Sequence, residues 1–386
     1  MKAGLAGDHS LDLAQEKLAH AKRPFAVDAL MGDQTAFALL ARRILLHFRP
    51  LQSSTTTMAS NLVARHLQVA YVVPTHRTFL VSGSPSEPFL VEAAARMMET
   101  PGFSTIECLL RFTNEELLDP GESGEIVGRA LMIDAYDAAL RARLPSSNMY
   151  HSWVPVLDFL KALFPDNVYE RVIGITPFKQ PKGLTLGAAF ANAVVRLTHF
   201  VRLSELNLTT AANVRKAFLR GMGIVGAQSQ KLIDILIPML FVDPSKTPSE
   251  WVVEEGEMSQ IMANWKNRAA DATPPHSDPY DDYPKLNTEK PTILMWHQFG
   301  SKKNIVDLPQ AERVNHPGRA VYFIDLYGIA PEVYRSVTVA NAAKYQQVVG
   351  CVDMYRDAPY TYPEYIADVE RALPRWSTGS FNQTAS

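Results

Sequence analysis

Two apolar segments of the chain carry polar residues of the kinds that take part in hydrolysis. The first, KLIDILIP at residues 231–238, contains Asp234, and the second, MSQIMANWKN at residues 258–267, contains Asn264 and Lys266. The apolar, branched composition of each segment predicts a strand. A carboxylate on one strand, followed by a polar residue-x-lysine on the next, would place a cation ligand beside a group that stabilises negative charge. The residue types therefore point to metal-assisted hydrolysis.

The alternation of side chains along a strand decides which of these residues can act together. Residues two apart share a face, so Asn264 and Lys266 should point the same way while Trp265 packs on the opposite side. A lysine or an aspartate inside an apolar strand must find a partner or shift its pKa. Two interpretations follow: a salt-bridged Asp234–Lys266 pair without catalysis, or a Mg²⁺ site with Asp234 as the carboxylate ligand. If the second is correct, Asp234 and Lys266 should lie on adjacent strands.

A glycine pattern at residues 221–226, GMGIVG, resembles a dinucleotide-binding motif. Such a motif needs a strand before the glycines and a helix after them. Here the order is reversed, because residues 209–220 predict a helix and a strand follows. We therefore expect Gly221 to end the helix, the segment to lead into the strand at 232–238, and no nucleotide to bind there.

Composition and charge narrow the functional classes. Of the 386 residues, 47% are hydrophobic and 20% are charged, which is ordinary for a globular protein. No apolar run is long enough to span a bilayer, and the first twenty residues lack the features of a secretory signal. Two cysteines form neither a metal-binding spacing nor a disulfide framework, so we expect an intracellular location, in the cytoplasm or nucleus, and no membrane partner.

The basic residues are unevenly distributed. Residues 182–231 hold seven Lys/Arg and one acid, whereas residues 234–257 hold six acids and one lysine. The basic stretch predicts helices at 186–202 and 209–220 whose side chains could contact nucleic-acid phosphates, although a solvated surface would look the same. The candidate contacts are Arg196, Arg202, Arg215, Lys216 and Arg220.

The periodicity of the chain predicts a mixed α/β fold in which helices dominate. Helices are expected at 34–48, 87–99, from about 123 to 143, 339–349 and 363–373, and strands at 69–73, 78–82, 292–297 and 320–326. Residues 269–291, which are rich in proline and acids, predict a long exposed loop.

Four short blocks resemble a family of fungal multidomain proteins. The blocks are SPSEP at 84–88, GESGEIVGR at 121–129, IDILIP at 233–238 and IMANWKNR at 261–268. They are similar to the PD-(D/E)xK nuclease-like region of Crinkler-type and mobile-element-associated proteins. The resemblance covers about residues 84–270. It implies a restriction-endonuclease-like small mixed sheet with flanking helices.

The resemblance also implies roles for individual residues. Glu125 matches a helix acid that precedes the core strands, Asp234 matches the metal-binding acid, and Lys266 matches the lysine that acts on the attacking water. Asn264 stands where the family has Glu or Gln. Because a neutral, shorter amide is a poor ligand for Mg²⁺, we expect weak binding of the cation by Asp234, Glu125 and the main-chain carbonyl of Trp265.

These observations lead to one hypothesis about the domain organisation of the chain and two hypotheses about its function. We expect a mainly helical region at 1–120, a PD-(D/E)xK-like domain at 121–376 and a disordered tail at 377–386. The function predicted is a metal-dependent nuclease-like domain acting on nucleic-acid phosphodiesters, weakened at Asn264. The alternative is a catalytically inactive scaffold or interaction protein that retains the nuclease fold.

Overall fold

A computed structural model describes most of the chain. It covers residues 4–47, 53–73, 75, 80–144, 150–177, 183–203, 210–226, 233–267, 274, 286–287, 289–308 and 319–350. The predicted helix at 363–373, the tail at 377–386 and most of the predicted loop at 269–291 lie outside the described residues. The fold is mixed α/β, as predicted. The described part of the chain forms twelve α-helices, a nine-stranded mixed sheet and a separate two-stranded sheet.

The region before residue 120 is mainly helical. Its helices are α1 (Gly4–Ala19), α2 (Val27–Met31), α3 (Asp33–Ile44), α4 (Ser53–Arg65), α5 (Pro88–Met98) and α6 (Thr105–Asn114). Between α4 and α5 an antiparallel hairpin is formed by β1 (Val69–Val72) and β2 (Val81–Gly83). The predicted elements at 34–48, 69–73, 78–82 and 87–99 are confirmed, although several of them end earlier than predicted.

A long buried helix and a group of short elements follow. They are α7 (Ser123–Arg143), β3 (Val154–Pro155), α8 (Val156–Leu163), α9 (Asp166–Ile173), α10 (Leu186–Ala189), β4 (Ala193–Val195) and β5 (His199–Arg202). The predicted helix at 186–202 is therefore wrong, since only its first turn is helical. The runs that follow are short and mostly buried, and pairing within the sheet overrides their weak helical pattern.

The glycine segment joins a helix to a strand. Helix α11 (Ala211–Arg220) ends at Gly221, whose φ of 69° is the left-handed conformation that glycine adopts most easily. This part of the prediction is confirmed. The next strand is β6 (Met222–Val225), so the expectation that the segment leads directly into the strand at 232–238 was wrong. A Cβ at Gly223 would lie 2.5 Å from the Phe200 ring, which explains the second glycine by packing on β5.

The remaining elements complete the large sheet. They are β7 (Ile235–Phe241), β8 (Met258–Lys266), β9 (Thr292–Gln298), β10 (Ile305–Asp307), β11 (Val321–Tyr327) and α12 (Ala342–Gly350). The strand order is β10-β11-β9-β8-β7-β4-β3, with β6 also paired to β7 and β5 paired to β6. Strand β8 lies antiparallel to β7 and parallel to β9. These central strands are buried on both faces, which accounts for their nearly continuous apolar sequences.

The two faces of the central strands pack against different helices. One, the α7 face, buries Ile235, Ala263 and Trp265 in a core cluster that includes Val127 and Ala130 of α7. The other, the α11 face, buries Leu236 and Met262 with Val214 and Phe218 of α11. The α7-face cluster runs from Ala36 to Val349. It thus contains residues from both regions that the predicted division at residue 120 separates.

Candidate functional site

Asp234 lies at the junction where β7 begins beside the end of β8. The last paired residues of the two strands are Ile235 and Ala263, so the register places Asp234 opposite Asn264. The N–H of Asp234 donates to the carbonyl of Ala263 at 2.9 Å, and the N–H of Trp265 donates to Oδ2 of Asp234. Asp234 is thus bound to the peptide groups on both sides of Asn264. The strands are neighbours, as predicted.

The charges around Asp234 act on its carboxylate. Burial raises the pKa of Asp234 to about 6, while the hydrogen bond from Trp265 and the positive charge of Lys266 lower it. The negative charge of Glu125 raises this pKa further, and Arg129 lowers it. Lys266 and Glu125 therefore both act electrostatically on Asp234, although Glu125 lies more than 100 residues before it in the sequence. A carboxylate with a pKa near neutrality in such surroundings is typical of functional sites, and also of structural ion pairs.

Lys266 is the last residue of β8 and is partly buried. Its Nζ lies 5.6 Å from the centroid of the Trp296 ring, on the neighbouring strand β9. An ammonium group above an indole is favourable, so the ring holds the lysine at the strand end without neutralising its charge. The positive charge of Lys266 acts on the nearby Asp234 carboxylate.

Asn264 occupies the α11 face of β8, two residues after the buried Met262 and opposite to Trp265, as the alternation predicted. It is 1% exposed, and neither its Oδ1 nor its Nδ2 has a hydrogen-bond partner in the described structure. A buried, unsatisfied amide is costly. The structure therefore brings Asp234 and Lys266 to the same strand junction but leaves the Asn264 amide without a bond to either.

Glu125 reaches this junction from the first turn of α7. The helix packs very closely on β8, because a Cβ at Gly128 would lie only 2.1 Å from Cε2 of Trp265. A Cβ at Gly124 would lie 3.1 Å from the Cβ of Asn267, the residue that follows β8. These two glycines allow the first turns of α7 to cross the end of β8. Glu125 therefore approaches from the α7 face, whereas Asn264 lies on the α11 face.

Two arginines accompany the acids of α7: Arg129, which sequence reasoning missed, and Arg202, which it assigned to a nucleic-acid surface. Arg129, which is fully buried, lies with Nη1 3.4 Å from Oε2 of Glu125 and donates through Nε to the carbonyl of Ile44. Arg202, at the end of β5, lies 3.0 Å from Glu122 and 4.0 Å from Glu125. The spacing of four residues between Glu125 and Arg129 on one helix was a visible signal for the first contact. The contacts of Arg202 with Glu122 and Glu125 could not be predicted without the fold.

The junction of β7 and β8 offers few ligands for Mg²⁺. Among the residues that the structure describes, no group of three or more His, Cys, Asp or Glu side chains is placed to hold a metal ion. Mg²⁺ is commonly held through only one or two carboxylates and keeps several waters. Asp234 and Glu125 are the two carboxylates that act on each other at this junction. In a strand, the N–H and the carbonyl of one residue point to the same side. The Trp265 carbonyl therefore faces the side of Asp234, as its N–H does.

The predicted basic surface is not a pair of helices. Arg196 and Arg202 belong to the region of β4 and β5, so their placement on a helix was wrong. All four arginine side chains of this surface are engaged within the protein. Arg196 donates to His151 O and Leu219 O, and Arg202 pairs with Glu122. Arg215 donates to Val253 O, and Arg220 donates to Ser86 O. Lys216, on α11, is exposed.

Comparisons with known proteins identify a family but no activity. Within the described residues, no helix is both long and apolar enough to cross a membrane. No curated protein and no solved structure matches the chain. A family model described as a domain of unknown function, DUF8736, matches residues 31–254, which include Glu125 and Asp234 but end before β8. Because this match covers more than half of the chain, the protein belongs to the DUF8736 family.

Proposed function

We propose that this protein is a nuclease-like domain of the PD-(D/E)xK type, which acts on nucleic-acid phosphodiesters with the help of a weakly held divalent cation. The observation that carries the proposal is the junction of β7 and β8. There, a buried aspartate is bound to the peptide N–H of Trp265 and lies within the electrostatic influence of Lys266 and Glu125.

The arrangement of the elements supports the same proposal. An acid on a helix, an acid at the start of a central strand and a lysine at the end of the adjacent antiparallel strand are the parts that the resemblance led us to expect. They come from α7, the residue before β7, and β8. Asn264, at the position of the expected Glu or Gln, accounts for the weakness of the site, because its amide supplies no negative charge to a cation.

Each residue has a role that follows from its chemistry. Asp234 and Glu125 would hold the cation together with the Trp265 carbonyl, and a bound Mg²⁺ supplies a coordinated water of lowered pKa. Lys266, held over the Trp296 ring, would stabilise the negative charge that develops on the phosphate oxygens. The N–H of Trp265 orients the Asp234 carboxylate.

The proposal includes nucleic acid as the partner. Helix α11 carries Arg215, Lys216 and Arg220 and packs on the same face of the sheet that carries Asn264 and Lys266. A phosphate backbone that reached Lys266 from this side would pass α11, where Lys216 is exposed. Binding should then weaken steeply as salt increases. An intracellular location for the domain belongs to the same proposal and rests on its low cysteine content.

A second candidate function, a non-catalytic scaffold that kept the fold, is favoured by one specific observation. Glu125 is already engaged by Arg129 and lies 4.0 Å from Arg202, so the positive charges nearby compete with a cation for its carboxylate. In such a protein the junction would be an ion-pair network that holds α7 on the sheet.

A plasmid-nicking assay with Mn²⁺ distinguishes the two candidates. The proposal predicts slow nicking by the natural protein, faster nicking by Asn264→Glu, and loss of this gain in Asn264→Glu/Lys266→Ala. The matched control is Lys290→Ala in the Asn264→Glu background, since Lys290 also lies over an aromatic ring, that of Phe241, at 5.3 Å. Its nicking rate should not change. Equal rates for all four proteins, at the level of buffer alone, would favour the scaffold.

A further inference from the structure

Ser86 and His199 form a side-chain pair that the proposed function does not use. Ser86 belongs to the SPSEP block at 84–88, just before helix α5, and His199 is the first residue of β5. The Oγ of Ser86 lies 2.8 Å from Nε2 of His199. His199 is 1% exposed, whereas Ser86 is half-buried, so the hydroxyl lies between the core and the surface. A serine hydroxyl bonded to a histidine is the arrangement that makes serine nucleophilic.

Thr198 fixes the direction of these hydrogen bonds. Its Oγ1 lies 3.1 Å from the carbonyl oxygen of Gly221 and donates to it, because a carbonyl oxygen only accepts. Since the Thr198 hydroxyl has no second proton, the Nδ1 of His199, 2.9 Å away, donates to Thr198. A neutral imidazole with its proton on Nδ1 has an unprotonated Nε2, which accepts the proton of Ser86. Thr198 thus holds His199 in the tautomer that can act as a base towards Ser86.

The surroundings of His199 keep its imidazole neutral. Burial, together with the positive charges of Arg43 and Arg220, lowers the pKa of His199 to about 3. The imidazole is therefore in its basic form near neutral pH, but a base of such low pKa takes up a proton only weakly. Ser86 should accordingly react slowly, at a rate that protonation of His199 does not change between about pH 6 and pH 8.

Positive charge lies beside the Ser86 hydroxyl. Nη2 of Arg220 donates to the carbonyl oxygen of Ser86 at 2.5 Å, and helix α5 begins two residues after Ser86. A guanidinium and a helix N-terminus both favour negative charge, which develops on the carbonyl oxygen when a serine attacks an ester. Phe89 and Leu219, which are close in sequence to Ser86 and Arg220, are 41% and 42% exposed. Their side chains offer apolar surface for the acyl or alcohol part of such an ester.

We propose that Ser86 is a nucleophile, with His199 as its base, in a second site that hydrolyses esters of small carboxylic acids. Oγ of Ser86 forms a bond to the carbonyl carbon while its proton passes to Nε2 of His199. The bond to the alcohol then breaks, and the alcohol takes the proton from Nε2. Water, deprotonated by the same nitrogen, then releases the acid from the acyl-serine and restores Ser86. None of these residues belongs to the junction of β7 and β8, so the test is independent of the nuclease-like proposal.

Labelling with a fluorophosphonate probe, followed by peptide mass spectrometry, tests the nucleophile. Oγ bonds to phosphorus, fluoride leaves, and the proton passes through His199 to solvent. The label should be found on Ser86 and should disappear in Ser86→Ala. Ser84→Ala is the matched control, since Ser84 lies in the same block but its buried Oγ has no hydrogen-bond partner in the described structure. This variant should be labelled like the natural protein. A natural protein without label on Ser86 overturns the proposal.

Thr198→Val tests the role of His199 without removing the imidazole. Valine has nearly the shape of threonine but accepts no hydrogen bond from Nδ1, so the tautomer that accepts from Ser86 is no longer favoured. Labelling and turnover of p-nitrophenyl acetate should both fall about tenfold, while circular dichroism melting shows that the variant is folded. In the natural protein, labelling should be equally fast at pH 6 and pH 8. Equal labelling of natural protein and folded Thr198→Val, or a rate that rises about tenfold per pH unit as for a hydroxyl without a base, overturns the proposal.

Discussion

Helix α7 contributes to two ionic clusters that differ in how completely their charges are satisfied. The interior cluster joins Arg43 of α3 to Asp137 through two hydrogen bonds of 2.6 and 2.8 Å, and the Arg43 Nε also donates to Thr198 O. The junction cluster around Glu125 has ion-pair distances of 3.4 and 4.0 Å. The carboxylate of Glu125 is also about one third exposed, whereas that of Asp137 is 9% exposed.

The difference shows what separates a structural ion pair from a candidate site. In the interior cluster, the bidentate geometry engages both oxygens of Asp137 with the Arg43 guanidinium. At the junction, acids and bases lie close enough to shift the pKa of Asp234 but too far apart to saturate each other. Carboxylate oxygens that are accessible and incompletely paired are those that can bind a cation.

The largest effect should come from breaking the interior cluster. Asp137→Ala leaves a fully buried guanidinium without its partner and should lower the free energy of unfolding by about 3–5 kcal/mol. Arg202→Ala, which removes a partly exposed pair with Glu122, should cost about 1 kcal/mol or less. Urea unfolding of the two variants measures both values. Similar losses for the two variants would contradict the comparison.

A smaller effect is expected from the close packing of α7 on β8. Gly128→Ala places a methyl group within the space of the Trp265 indole and should cost about 1–3 kcal/mol through overpacking. Gly124→Ala is the matched control, because its Cβ would meet the Asn267 Cβ at 3.1 Å and the better helix propensity of alanine offsets part of the strain. Thermal unfolding should rank the two variants in this order. A neutral Gly128→Ala would show that Trp265 can move.

The pKa of Asp234 makes a prediction about pH. The folded pKa of about 6 lies above the ordinary aspartate value, so the folded state retains a proton that the unfolded chain has lost between about pH 4 and pH 6. Stability therefore falls as pH rises through this window, by about 2 kcal/mol, and then levels off. Asp234→Asn should remove this fall.

Asp134, a second buried aspartate, must be controlled for in this measurement. Burial also raises the pKa of Asp134, to about 7, but Asp134 is present in both proteins. The difference in unfolding free energy between natural protein and variant, measured at pH 4 and at pH 7, thus isolates Asp234. A difference that does not change with pH would show that Asp234 is not the buried titrating group.

Much of the fold was predictable because the central elements have strong local patterns. The apolar runs of β7, β8, β9 and β11 and the long amphipathic pattern of α7 identified these elements, and the alternation along β8 separated Asn264 from Trp265. The region 186–202 was misread because β4 and β5 are short and depend on pairing with other strands. Local sequence does not record such pairing.

The candidate site was predictable only in part. The types of Asp234 and Lys266 drew attention because charges are rare in apolar strands. The unsatisfied amide of Asn264 and the approach of Glu125 from the opposite face depend on the packing of α7 and α11, which only the fold shows. The Arg43–Asp137 pair joins residues 94 positions apart, and no spacing in the sequence links them.

Calorimetry with Mn²⁺ tests the central proposal, a weak cation site at the junction of β7 and β8, most directly. Asn264→Glu adds a carboxylate opposite Asp234 and should bind Mn²⁺ at least tenfold more tightly than the natural protein, and more tightly at pH 7.5 than at pH 5, where Asp234 is protonated. Asn264→Leu, which removes the amide without adding charge, is the matched control and should not bind more tightly. Thermal unfolding should show that Mn²⁺ restores the stability lost by burying the new carboxylate. Equal and negligible heats of binding for Asn264→Glu and Asn264→Leu at pH 7.5 would contradict the account.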